Sequence, residues 1–218
     1  MPSFSKHTVG ILGGMGPAAT ANFLRLLVKS FNEAGARTDS EFPKIIMLGL
    51  PLEDWGTTGA KDKLSVEKQI REGLIWLSRQ DASVIAIPCN TVHEFVKYDP
   101  RIVSIIDATL DECSTESILG LLCSRQTRES NLYSRPGFDI RCFSDQDDID
   151  SVIEDAMSGE FEDISDIIDL AHDCGIQTVI LGCTELSLCS YGYSKYDVSV
   201  IDSSAALARA VVRRVASL

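Results

Sequence analysis

The chain has 218 residues, 44% of them hydrophobic, enough to bury a sizeable core in one large or two small domains. A formal net charge of -12 leaves no basic footprint for nucleic acid and disfavours an anionic membrane surface, and no basic leader or long apolar span marks a signal peptide or a transmembrane helix. Seven cysteines without a CxxC pair read as reduced thiols of a cytoplasmic protein, and the scattered His7, His93 and His172 lack the spacing of a metal site.

Short β-branched runs alternate with amphipathic stretches. Strands are predicted at Thr8–Leu12, Lys44–Leu50, Ser83–Pro88, Val103–Ile106, Ile118–Cys123, Phe138–Phe143, Thr178–Leu181 and Val198–Ile201. Between them, Phe23, Leu24, Leu27, Val28 and Phe31 share one helical face. Leu64, Ile70, Leu74 and Leu77 share another more loosely. Ile149, Val152, Ile153, Ala156 and Met157 keep strict helical spacing, as do Phe161, Ile164, Ile168 and Ala171, with Gly175 placed to end that helix. Asp202 is placed to cap a last helix running through Ala216, and the polar stretch Ser124–Pro136 reads as a loop. This alternation predicts an α/β fold with mostly parallel sheets.

Two segments echo each other: VIAIPCNT (84–91) and VILGCTE (179–185) are both apolar strands ending in Cys with Thr close behind. VGILGG (9–14) and LGLLCS (119–124) repeat in the same order. Two similar halves follow, a first domain over residues 1–106, to which residues 202–218 return as a C-terminal helix, and a second over 107–201. Ligands of open parallel sheets bind beyond the carboxyl ends of strands, where Cys89 and Cys183 stand. A helix beginning after each would lower its thiol from about 8.5. If the halves face each other, two thiols approach one ligand from opposite sides. That arrangement suits inversion at the α-carbon of an amino acid, one thiolate removing the proton and the opposite thiol returning one.

With these residues in view, the chain resembles the aspartate/glutamate racemase family, whose members work without pyridoxal phosphate or any other cofactor. The matching motifs are GILGGMGPAAT (10–20), IPCNTVHEF (87–95), GLLCSRQTRESNLY (120–133) and ILGCTEL (180–186). The resemblance implies two pseudo-symmetric α/β domains with the site in the cleft between them, a small amino-acid substrate, by family default aspartate or glutamate, and a homodimer. It implies Cys89 and Cys183 as the acid/base pair, Asn90, Thr91 and Thr184 as holders of the substrate carboxylate and amine, and Thr127 as the threonine of the loop after the fifth strand. A local turn is the alternative for Thr127. Glu185 and His93 would tune a thiol or carry a proton, an ordinary structural hydrogen bond being the alternative for His93. The glycines of the first turn would bring backbone close to a small ligand, with Pro17 opening a helix and Met15 facing the substrate. The same turn formally fits a dinucleotide fingerprint, but the second strand ends LGLPLEDW and not in an acidic residue, and a dinucleotide would leave the paired cysteine motifs unexplained.

The chain departs from the family in two loops. Where many members carry IPDRT, it has LPLEDWGTTG (50–59), with Glu53, Asp54 and Trp55 in place of a cation. Met157 stands where a second cation is expected, and Gln126 replaces a usual glycine. A second substrate carboxylate buried without a positive partner is costly. Glu53 or Asp54 at the site would favour a neutral or basic side chain, the alternative being that both face solvent, and Arg125 or Arg128 would be replacement cations. The alternatives to an amino-acid racemase are a related hydantoin racemase or maleate isomerase, the latter using one cysteine as nucleophile, and a silent small-ligand binder. Cys113, Cys123, Cys142, Cys174 and Cys189 read as core or incidental.

Overall fold

Runs of Val, Ile and Leu form two four-stranded sheets, each joined in parallel throughout. The computed structural model describes residues 4–56, 59–192 and 194–218. The first half runs β1 (Thr8–Gly13), α1 (Pro17–Glu33), β2 (Lys44–Gly49), a short antiparallel pair β3 (Trp55–Gly56) and β4 (Gly59–Ala60), α2 (Lys63–Ser78), β5 (Val84–Ala86), β6 (Ile102–Val103) and α3 (Ile105–Leu110). The second half runs β7 (Ile118–Leu122), α4 (Arg125–Glu129), β8 (Asp139–Arg141), α5 (Gln146–Ser158), α6 (Ser165–Asp173), β9 (Thr178–Leu181), β10 (Ser199–Asp202) and α7 (Ser203–Ala216). Thr57 and Thr58 of the segment LPLEDWGTTG lie outside the described residues.

The sheets share one plan. Their orders are β2-β1-β5-β6 and β8-β7-β9-β10, so the first long strand of each half is flanked by its successor on one side and the Cys-terminated strand on the other. Helix α7 packs on α1, α3 and β5. The central core lies on this seam: Phe23, Leu27 and Phe31 of α1 and Leu207 and Val211 of α7 meet Val9 and Ile11 of β1 and Leu119 and Leu121 of β7. Each such side chain stabilises by about 1.5–3 kcal/mol when fully buried, so one cluster ties both sheets. Ile70 and Leu77 of α2 cover the other face of the first sheet, and Ile153 of α5 and Ile168 of α6 that of the second. No helix among the described residues is long and apolar enough to cross a membrane.

Local chemistry explains where elements begin and end. Pro17 opens α1, and the Asp202 carboxylate accepts the N–H groups of Ser204 and Ala205 at 2.7 and 3.2 Å to cap α7. Gly175, at φ 69°, follows the end of α6 as predicted. The strand predicted at Val103–Ile106 stops at Val103, because the Ser104 hydroxyl accepts the Asp107 N–H at 3.1 Å and starts α3. The predicted loop Ser124–Pro136 contains α4, capped by Ser124. Leu64 is 78% exposed on the solvent side of α2, and Phe161, 53% exposed, precedes α6 instead of packing under it.

Gly14 holds the first turn in place. It sits at φ 97°, its N–H donates to Thr20 Oγ1 at 2.9 Å, and a Cβ on it would come within 2.6 Å of the Leu50 nitrogen. The close approach at this residue is therefore to the end of β2. Gly14→Ala is expected to cost about 2 kcal/mol or more in denaturant unfolding, from left-handed strain and a backbone clash together. A loss under about 0.5 kcal/mol would mean that the turn relaxes freely.

Candidate active site

The carboxyl ends of β1, β5, β7 and β9 converge on a cavity of about 180 Å³ lined by both Cys89 and Cys183. The first sheet supplies the turn Gly14–Pro17 and Cys89–Thr91; the second supplies Ser124 and Cys183–Glu185. Ile153 and Met157 of α5, with Pro51, Leu52, Trp55, Gly56 and Gly59 around the β3–β4 pair, complete the wall. A wider hollow of about 720 Å³, between His93–Asp111 and the end of α7, reaches neither thiol.

Both thiols are buried, with exposures of 6% for Cys89 and 7% for Cys183. Each is followed by a short 3₁₀ turn, Thr91–Phe95 or Leu186–Leu188, in place of the expected α-helix. The expected acidification is reversed. Burial, with the nearby Glu185 charge, pushes Cys89 up to about 12 against the opposing N–H groups of Val92 and Thr91. Burial and Glu185 also raise Cys183, whose Sγ donates to Glu185 Oε2 at 3.1 Å. A single 3₁₀ turn presents too few N–H groups to offset burial beside a carboxylate.

Glu185 joins the halves. It is 6% exposed, and its Oε1 accepts the Gly16 N–H at 3.1 Å, while Oε2 accepts from the Cys183 thiol and, at 3.2 Å, from the Thr184 hydroxyl. The side chains of Asn90 and Thr91 are likewise engaged. Asn90 donates to Ser203 Oγ at 3.0 Å and accepts from the Tyr133 hydroxyl at 2.7 Å. Thr91 Oγ1 lies 2.8 Å from Thr127 Oγ1 and 3.0 Å from Ser124 Oγ. Met15, Asn90, Thr91, Thr184 and Glu185 thus share the cavity with the cysteines, whereas Thr127 stands behind Thr91 and does not line it.

His93 also stands outside this cavity. Its Nδ1 lies 2.9 Å from the Cys89 carbonyl oxygen, a bond to backbone and not to the thiol, and its ring lines the wider hollow. Burial lowers its pKa. A histidine neutral in the fold but protonated once unfolded contributes stability above about pH 6.5 that is lost as pH falls through its lowered value. The wild type should therefore lose more melting temperature between pH 7.5 and 5.5 than His93→Gln does. Equal losses would show that His93 protonates freely in the fold.

The departing loops divide. Glu53 and Asp54 are exposed and do not line the cavity, whereas Trp55 and Met157 do. Arg125 is paired outside with Asp147 at 2.5 Å and Asp150 at 3.0 Å, and Arg128 does not line the cavity, so neither is the replacement cation. Gln126 instead fastens the β3–β4 pair: its Oε1 accepts the Ala60 N–H at 2.5 Å and its Nε2 donates to Glu94 Oε2 at 2.6 Å. Gly59, at φ 117°, makes room for it, since a Cβ there would come within 1.6 Å of Gln126 Oε1. Gly59→Ala is expected to release this pair, raising KM severalfold and lowering the melting temperature through left-handed strain; an unaltered KM would detach the pair from the site.

Sequence reasoning missed Ser124 and the apolar wall of Leu52 and Ile153. The echo of VGILGG in LGLLCS was the available signal for Ser124, since it ends the second copy as Gly14 ends the first. Among the other cysteines, Cys174 is exposed, whereas Cys123 and Cys189 are buried.

Residues 12–211 match the model of the family described as Asp/Glu/Hydantoin racemase. The broad specificity amino-acid racemase RacX of Bacillus subtilis (strain 168) is 28% identical over 98 residues, 44% of this chain and 43% of that protein, so the match spans less than half of that relative. An aspartate racemase structure from Picrophilus torridus superposes with a TM-score of 0.74 at 22% identity, covering 96% of this chain and 94% of that one. A glutamate racemase from Francisella tularensis, solved with D-glutamate, gives 0.67 at 20% identity, covering 96% and 81%. These two likenesses carry the architecture, and the family match carries the lineage: the chain belongs to the Asp/Glu/Hydantoin racemase family, whose racemases are isomerases.

Proposed function

We propose that the chain racemises a small amino acid, with Cys89 and Cys183 as its acid/base pair and no pyridoxal phosphate. The supporting observation is the pair of thiols at equivalent strand ends of two like-ordered sheets, both on one cavity of about 180 Å³. A thiolate on one face of the α-carbon removes its proton, the thiol on the other face delivers one, and the roles exchange for the mirror-image substrate. Backbone N–H groups that follow each cysteine hold the α-carboxylate and stabilise the charge that spreads onto it. Thr127 acts through Thr91, and Glu185 sets the protonation of Cys183. The reaction needs reduced thiols, which fits a cytoplasmic enzyme, and the working form is a homodimer, which light scattering would test. The activity is tested by proton NMR in D2O without added cofactor, on a panel of L- and D-amino acids. Loss of the α-proton signal together with appearance of the mirror-image product is the expected result; exchange of no amino acid would overturn the reading.

A further inference from the structure

We infer, resting on that racemase reading, that the substrate carries an uncharged, apolar side chain and not a second carboxylate. The cavity has two chemically distinct linings. Its polar groups come from the strand ends: Asn90, Thr91, Ser124, Thr184 and Glu185. Besides Met15 and Pro17 on the first turn, its apolar groups lie away from the strand ends: Leu52, Trp55 of β3, and Ile153 and Met157 one turn apart on α5. The α-carbon must lie between the thiols, so its carboxylate and amine belong with the polar groups. The remaining substituent then faces the apolar wall.

Charge decides against an acidic side chain. Among the described lining residues the single acidic or basic side chain is Glu185, an acid, which offers a substrate carboxylate no counter-charge. Arg125 is held outside by Asp147 and Asp150. Lys61, just after β4, is exposed, with its Cε 3.9 Å from where a Cβ on Gly56 would sit, and it does not line the cavity. A carboxylate on this wall would lose its water and gain no cation from the described lining residues in exchange. Two residues of the wall are held by packing, Trp55 by Phe95, which meets it edge-on with ring centroids 6.2 Å apart, and Ile153, 2% exposed, in the core of the second half. The volume of about 180 Å³ is below the roughly 300 Å³ at which drug-sized pockets begin, so the occupant is a single small amino acid.

The test is a D2O exchange panel on the wild-type enzyme, comparing both enantiomers of valine, leucine and methionine with those of aspartate and glutamate. The expected result is a kcat/KM at least tenfold higher for the apolar group. In Met157→Arg, a change at a position 43% exposed, the ratio of acidic to apolar kcat/KM should rise at least tenfold with the melting temperature nearly unchanged. Aspartate or glutamate exchanged as well as, or better than, the apolar group in the wild type overturns the inference and leaves the racemase reading standing. Exchange of no amino acid overturns the racemase reading and the inference with it. A ratio unmoved in a folded Met157→Arg protein overturns the assignment of this wall to the substrate side chain.

Discussion

Cys89→Ala and Cys183→Ala are each expected to abolish inversion, lowering kcat/KM for racemisation by about 1,000-fold or more, within the range that a positioned proton donor or acceptor contributes. The two losses should differ in kind. With one thiol left, the enzyme retains a base on a single face of the α-carbon. It can therefore remove the proton of one enantiomer and return deuterium from the same side, which gives exchange without inversion. The two variants should do this for opposite enantiomers. Both positions are buried, and the change removes only one sulfur, so circular dichroism and thermal melting should still report a folded chain. The readout is paired: solvent exchange by NMR and optical inversion by polarimetry or chiral chromatography. If either variant racemises at the wild-type rate, the two-thiol mechanism is wrong. If both variants exchange the same enantiomer, the thiols do not stand on opposite faces of the substrate.

The sequence was informative wherever one physical cause dominated. Buried parallel strands demand runs of apolar residues, and seven of the eight strands of the two sheets fall within or beside such runs, from Thr8–Gly13 to Ser199–Asp202, the exception being the edge strand β8, Asp139–Arg141, which alternates charged and apolar residues. The internal echo identified the two Cys-terminated strands, and the sheets place both in third position of one shared order. Legibility failed where side chains compete with backbone at short range. Ser104 and Ser124 each cap a helix that hydropathy alone does not mark, which shortened one predicted strand and replaced part of a predicted loop. At the site, the paired cysteines and the motifs of the family resemblance pointed to Met15, Cys89, Asn90, Thr91, Cys183, Thr184 and Glu185, which line one cavity. They did not show that His93 bonds to the Cys89 carbonyl or that Thr127 supports Thr91 from behind, because these depend on which side of a one-turn helix a residue faces. Nor did they reveal the state of the thiols. A motif records the N–H groups that favour thiolate, whereas burial, which outweighs them, is a property of the assembled halves.

That balance makes Glu185→Gln the second decisive substitution. The carboxyl of Glu185 accepts from the Cys183 thiol at 3.1 Å, and its charge raises both cysteines. The amide of glutamine keeps the size of the side chain and an oxygen for the Gly16 N–H, but it carries no charge. At an effective dielectric constant near 20, two unit charges about 4 Å apart interact by about 4 kcal/mol, so removing one favours thiolate strongly. Since both thiols are held neutral in the wild type, the thiolate fraction, and with it alkylation by iodoacetamide, should be low at neutral pH and climb as pH rises toward the alkaline range. In Glu185→Gln the same climb should begin at lower pH, and alkylation of Cys183 at pH 8 should quicken by about tenfold or more, a change that needs only about 1.4 kcal/mol. The alkaline limb of kcat/KM for racemisation should move in the same direction. A purely structural role for Glu185 predicts otherwise: a lower melting temperature, with both pH profiles left where they were. An unmoved alkylation profile in a folded variant would show that burial alone keeps these thiols protonated, and that Glu185 serves to hold the Gly14–Pro17 turn against the second half.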